Sequence, residues 1–207
     1  QRGYDVSYAV QAYDVTTTKN TIKIYATSSA IWNRAMTLGG VTFEITYTAV
    51  APDVIRVHIC HHKGSLQNKP QFDLNLPEGY VPDEIHEEEG FVSMTAGHTT
   101  VKVKKGTDGW DVSFSRDGKR LTGGGWRSTS YIQENKFHRD ARNTFIREQL
   151  TLDVGECVYG FGEKFTTFVK NGQNVENWNS DGGTCSEQSY KCIPFYITSN
   201  KYGVLVN

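Results

Sequence analysis

The sequence predicts an all-β protein, an antiparallel β-sandwich, and three observations predict it. Apolar residues recur with period two in several segments, the breaks between them are glycine-rich turns of the hairpin kind, and no 3.6-residue periodicity runs far enough for a helix of several turns. With 207 residues the chain has room for one substantial core, and a large all-β unit of this length can be a single domain. Residues 1–207 therefore read as one domain, with no low-complexity linker or fixed-period repeat to divide it.

In NTIKIYATS, residues 20–28, Ile22 and Ile24 share a face opposite Lys23 and Tyr25. In VTFEITYTAV, residues 41–50, Val41, Phe43, Ile45 and Tyr47 alternate with Thr42, Glu44, Thr46 and Thr48. Both are half-buried strands with one wet face, as antiparallel sheets allow. DVIRVHICHH, residues 53–62, continues the alternation with Ile55, Val57 and Ile59. The acidic stretch PDEIHEEEGF, residues 82–91, breaks the texture and reads as a solvated loop or a short turn of helix. TTVKVKKG sets Val101 and Val103 against Lys102 and Lys104, and WDVSFSRDGKRLTGG places Asp117-Gly118 between two strand-like runs, a strong local hairpin signal.

Composition narrows the partners. The chain carries 22 basic and 23 acidic residues, a formal charge of −1, so no electrostatic argument favours nucleic acid or an anionic membrane. A neutral ligand fits better. Hydrophobic content of 37% and aromatic content of 12% support a packed globular protein, with a core expected to be rich in Tyr and Phe. Trp32, Trp110 and Trp126 lie in or beside strand-like segments and are expected in that core. Cys60, Cys157, Cys185 and Cys192 are too few and too irregularly spaced for a disulfide scaffold and read as thiols. The opening QRGYDVSYAV shows no signal-peptide pattern and no N-x-[ST] sequon occurs, which reads as a cytoplasmic protein.

Most motif-like features have ordinary explanations. His58, Cys60 and His62 in VHICHH invite a metal reading, but at about 3.3 Å per residue the two outer histidines of a strand lie roughly 13 Å apart, too far to share one ion. No metal and no cofactor is expected. YGFGEKF, residues 159–165, has a G-x-G without a third glycine or a following helix, so its glycines are expected to let a strand bend or pass close to another backbone. Glu163 and Lys164 beside it are either a surface pair or a brace for the later loop. No G-x-S-x-G elbow occurs, and His138 has no evident companion.

One loop stands apart. VENWNSDGGTCSEQSYKCIPFY, residues 175–196, sets Trp178, Asn179 and Asp181 before two glycines. Turn chemistry explains Asp before Gly-Gly, but it does not explain an indole in so polar a loop, which reads equally as a ligand contact and as packing for the loop itself. A flat apolar ring beside hydrogen-bond acceptors is what a sugar requires.

From Gly155 to Asn207 the motifs VYGFGEKF, VKNGQ, WNSDGGT, EQSYK, IPFY and YGVLVN, in this order, resemble the end of the amino-terminal β-sandwich of glycoside hydrolase family 31, in its α-xylosidase branch. IRVHICHHKG, the DGKRLTG hairpin and YIQE extend the likeness more loosely over the rest of the chain. The resemblance implies a galactose-mutarotase-like supersandwich, incomplete at its C-terminal end, with further strands and a catalytic (β/α)₈ barrel supplied by the remaining polypeptide. It implies no catalytic residue in this chain, because the family's two catalytic aspartates lie in that barrel. It makes Asp181 a candidate to hydrogen bond a xylosyl hydroxyl, with Trp178 and Asn179 shaping the loop. The implied substrate is an α-xyloside or a xyloglucan oligosaccharide, and homo-oligomerisation stays open. Two other readings are an α-glucosidase of the same family and a free carbohydrate-binding sandwich. A mutarotase-like isomerase would need a His and Glu pair that the sequence does not reveal.

Overall fold

The computed structural model describes residues 3–62, 75, 79–135, 143–180 and 188–207, which fall into two compact units, Gln1–Thr151 and Leu152–Asn207. Antiparallel strands dominate both. The only described helix is a 3₁₀ turn at Arg34–Leu38, whose amino end is capped by the Asn33 side chain accepting from the Ala35 N–H at 3.0 Å.

The first unit is built from two meanders and a smaller sheet. Strands β2 (Gln11–Thr17), β3 (Thr21–Thr27), β4 (Thr42–Ala51) and β5 (Val54–Cys60) form a four-stranded sheet in sequence order. Strands β6 (Glu84–Glu87), β7 (Phe91–Ala96), β8 (Thr99–Lys104), β9 (Val112–Arg116) and β10 (Lys119–Gly124) form a five-stranded one. The two sheets meet through β3 and β4 against β7, and β5 against β8. The alternation read from the sequence supplies the core: Ile22, Ile24, Phe43, Ile45 and Tyr47 from one sheet, Val92, Met94, Val101, Val103 and Val112 from the other. Each such burial contributes about 1.5–3 kcal/mol. The third sheet pairs β1 (Tyr4–Tyr8) with β11 (Ser130–Glu134) and β11 with β12 (Thr144–Arg147).

The predicted hairpin forms as expected. Asp117 and Gly118 join β9 to β10 with φ of 49° and 78°, the left-handed pair that a tight two-residue turn requires.

Three expectations need correction. The acidic stretch at 82–91 forms no helix and is not loop throughout, for Glu84–Glu87 is strand β6, paired among the described residues with β7 alone at the edge of its sheet. Charged residues on an edge strand discourage pairing with another chain, while Ile85 packs against the core. Trp110 is buried at 3% exposure, whereas Trp32 and Trp126 are 67% and 74% exposed. Both exposed indoles sit in connections, Trp32 between β3 and β4 and Trp126 after β10, where the Arg127 guanidinium lies 4.0 Å over the ring. Finally, the core is mostly aliphatic, since most of the Tyr and Phe side chains lie at the surface or only half-buried.

Strand β5 ends at Cys60, so His62 is not on the strand, and the His61 ring is turned back to Thr42 O at 2.9 Å. Among the described residues no group of three His, Cys, Asp or Glu side chains is arranged to hold a metal ion.

Candidate functional site

The second unit contains the loop that sequence reasoning singled out. Its frame is a three-stranded antiparallel sheet of β13 (Val158–Gly162), β14 (Cys192–Thr198) and β15 (Gly203–Leu205), in that order. The ladder between β13 and β14 is irregular: Gly160 pairs with Tyr196, but Gly162 already pairs with Cys192. Two steps along β13 thus match four along β14, and the surplus contains Pro194, which has no N–H to offer a regular ladder. On β13 the same irregularity shows as three successive positive φ values, 119° at Gly160, 67° at Phe161 and 82° at Gly162. A Cβ on Gly160 would lie 2.7 Å from Phe195 O, and one on Gly162 would collide with Lys191 O. The glycines of YGFGEKF serve a bent strand and a close backbone approach, as the sequence suggested.

Polar tethers hold the connection between β13 and β14. Asn171 ties the VKNGQ segment to the start of β13, its Oδ1 accepting from Val158 N at 2.8 Å and its Nδ2 donating to Glu156 O at 2.8 Å. Lys170 is buried, its ammonium donating to Thr167 O at 2.6 Å and to Thr166 Oγ1 at 3.0 Å. Burial, assisted by the nearby Lys164 charge, lowers its pKa. Glu156 is buried as well. Desolvation alone would raise its pKa, but the polar groups around it, Thr198, the Asp153 N–H that donates to Oε2 at 2.7 Å, Tyr202 and Asn200, outweigh burial and hold it below the usual carboxylate value.

The choice left open at Glu163 and Lys164 is resolved by geometry. Glu163 forms a surface pair with Lys191 at 3.0 Å, exposed on both sides and therefore worth little. Lys164 braces the loop: its ammonium donates to Glu176 O at 2.6 Å and lies 2.9 Å from Cys192 Sγ. The cation, helped by Ser189, lowers the Cys192 pKa. The Cys192 thiol in turn donates to Trp178 O at 3.2 Å.

Asn179 is bound to the sheet rather than open to solvent. Its Oδ1 accepts from Cys192 N at 3.0 Å, its backbone bridges to Ser189, and Ser180 N donates to Ser189 O at 2.9 Å. With the Lys164 bond to Glu176 O, these contacts fix the backbone on both sides of the indole and leave the ring itself 73% exposed. Beside it lies an open cleft of about 420 Å³ lined by Asn177, Trp178, Asn179, Cys192 and Pro194. The structure thus brings Trp178 and Asn179 together, with Asn179 as a positioning residue, while Asp181 lies outside the described residues. Sequence reasoning left Lys164 open between a surface pair and a brace, and missed Cys192 and Pro194 as parts of the site. Proline within an otherwise strand-like run was the available signal for the last.

Residues 44–207 match the family described as the glycosyl hydrolase 31 N-terminal galactose mutarotase-like domain. The chain belongs to that family. This family 31 domain is 37% identical over 204 residues to the α-xylosidase XylQ of Lactiplantibacillus pentosus, covering 99% of the chain and 26% of the relative. It is 36% identical over 189 residues to an α-xylosidase of Emericella nidulans, covering 84% of the chain and 24% of the relative. The chain spans about a quarter of the length of these curated relatives. Its fold superposes on a cycloalternan-forming enzyme from Listeria monocytogenes with a TM-score of 0.75 at 19% identity, over 99% of this chain and 18% of that one. The family 31 domain is therefore a mutarotase-like β-sandwich by descent as well as by strand pattern.

Proposed function

We propose that this chain is the amino-terminal part of a retaining α-xylosidase that removes non-reducing-end α-1,6-linked xylose from xyloglucan oligosaccharides. The observation that carries the reading is the identity to two α-xylosidases across most of the chain, at 37% and 36%. In this reading the two aspartates of the double displacement, one forming the glycosyl-enzyme and one acting as acid and then base, belong to the remaining polypeptide. The residues described here brace that polypeptide and line one side of the sugar pocket. Trp178 offers its indole face to the apolar side of the sugar ring, and Asp181 accepts a hydrogen bond from a xylosyl hydroxyl. Asn179 and Lys164 keep the loop in place from beneath. A loop whose contacts are made before the sugar arrives loses little entropy on binding, which favours selectivity.

Kinetics of the complete protein test the reading. Asp181→Ala should lower kcat/KM for an aryl α-xyloside about tenfold or more, the scale of one lost polar contact in a desolvated pocket. Trp178→Ala should raise KM more than it lowers kcat, because stacking acts on the bound ground state too. Unchanged kinetics in Asp181→Ala would remove that residue from the pocket. A complete protein that hydrolyses α-glucosides in preference to α-xylosides would replace the proposed specificity with its closest alternative.

A further inference from the structure

The first unit carries a cleft of about 250 Å³ that the reading above does not use. It lies on the outer face of the four-stranded sheet and is lined by Tyr13, Asp14, Tyr25, Thr27, Thr37 and Thr42 among others. Its floor depends on a β-bulge. The β2–β3 register skips between Ala12 and Asp14, so Ala12 pairs with Ala26 and Val15 with Ile24, both on the core side. The extra residue places two consecutive side chains, Tyr13 and Asp14, on the outer face, where an unbroken strand would turn one of them inward. Tyr13 is 49% exposed. Tyr25, the cross-strand partner of Asp14, donates its hydroxyl to Glu44 Oε2 at 3.2 Å, which fixes its ring in the wall.

The opposite wall is held as firmly. The connection from β3 to β4 is pinned by Gln11 Oε1 accepting from Ile31 N at 2.8 Å, by Ser28 Oγ accepting from Val41 N at 2.8 Å, and by Thr27 Oγ1 donating to Ser29 O at 2.8 Å. The cleft is thus formed in advance. Among the described residues the Tyr13 hydroxyl, the Asp14 carboxylate and the Thr42 hydroxyl have no hydrogen-bond or ionic partner.

We propose that this cleft binds a neutral oligosaccharide of glucosyl or xylosyl units, one ring resting on Tyr13 and its hydroxyls meeting Asp14 and Thr42. A mixture of unengaged hydroxyls, which both donate and accept, with one carboxylate acceptor and an exposed ring matches a polyhydroxylated ligand. A cation would have no use for the donors, and an anion would be repelled by Asp14. Only the choice of sugar units rests on the α-xylosidase reading.

The test is hydrogen exchange of the complete protein with cellotetraose or a xyloglucan heptasaccharide, read by mass spectrometry. Peptides covering 11–27 and 36–43 should exchange more slowly with saccharide. Half-saturation should rise about tenfold in Tyr13→Ala and in Asp14→Asn, with turnover of an aryl α-xyloside unchanged. Thermal melts confirm that both variants fold, and Thr42→Val serves as a third probe should Tyr13→Ala fail to. Absence of protection with either sugar at millimolar concentration overturns the proposal, as does protection that the variants leave intact. Protection of these peptides in a protein without α-xyloside turnover would refute the α-xylosidase reading and support the cleft. Turnover without protection would do the reverse.

Discussion

The two units solve the problem of holding a shape by different means. Among the described residues, every buried apolar side chain of the core comes from the first unit, where two sheets close over Phe43, Ile45, Met94 and their neighbours. The second unit buries Glu156, Lys170, Ser189 and Thr198 instead, while Ile193, Phe195, Ile197 and Leu205 remain exposed. Its outline is set by directional contacts: Asn171 on two backbone groups, Lys164 on Glu176 O, Asn179 on Cys192 N. Hydrophobic burial is non-directional and stabilises a body. Hydrogen bonds have geometry, and a unit that holds one indole beside one cleft is specified by them.

The widest gap between the two should appear on truncating isoleucine in each. Ile45→Ala removes a fully buried side chain between two sheets and should cost about 2–5 kcal/mol, the range for an aliphatic core cavity. Ile197→Ala, at a position 46% exposed, should cost less than about 1 kcal/mol. Urea unfolding of the complete protein, followed by a probe for each unit, measures both. Equal losses would show that the outer face of β14 is as well covered as the core, and the contrast would disappear.

The next effect tests whether polar tethers govern the second unit. Lys164→Met removes the bond to Glu176 O and the cation beside Cys192. Because that cation holds the thiol pKa down, the variant pKa should rise toward the ordinary thiol value. Alkylation of Cys192 by iodoacetamide near neutral pH should then slow several-fold, resolved from Cys60, Cys157 and Cys185 by peptide mass spectrometry. With the Trp178 segment loosened, kcat/KM should fall about three- to tenfold. Lys164→Arg should recover part of both. A thiol that titrates as before would break the assignment of Lys164 as the brace.

The same division marks what the sequence revealed. Period-two alternation placed Ile22, Ile24, Phe43, Ile45, Val101 and Val103 on one face, and all are buried. Asp117-Gly118 announced its turn because few residues adopt positive φ. Strand β6 stayed hidden because its charges face solvent along an edge and imitate a loop. Trp32 and Trp126 misled because hydrophobicity says nothing of whether a connection turns its side chains outward. At the candidate site Trp178 and Asn179 were legible as types out of place. The Lys164–Cys192 contact was not, since the partners are 28 positions apart and nothing in local composition links them.

The smallest effect lies in the first unit, where polar tethers also occur but at exposed turns. His98, between β7 and β8, has Nδ1 2.8 Å from Asp117 Oδ1, and its backbone N–H donates to Asp53 Oδ1 at 2.6 Å. The hydrogen bond to Asp117 and the charges of Asp117 and Asp53 raise its pKa, against partial opposition from desolvation and Arg116. A raised folded-state pKa stabilises the fold fully below the unfolded value, about 6.5, and the stabilisation is lost as pH rises through the higher folded value. His98→Ala should therefore melt slightly below the unsubstituted protein at pH 5.5, and the two curves should converge by pH 9. The backbone bond to Asp53 survives the substitution, so it cannot produce the pH dependence. The imidazole and carboxylate are both more than half exposed, so water and salt screen the pair and the shift in Tm should be the smallest of those considered. A difference that persists at pH 9 would mean that something other than the His98–Asp117 pair produces it.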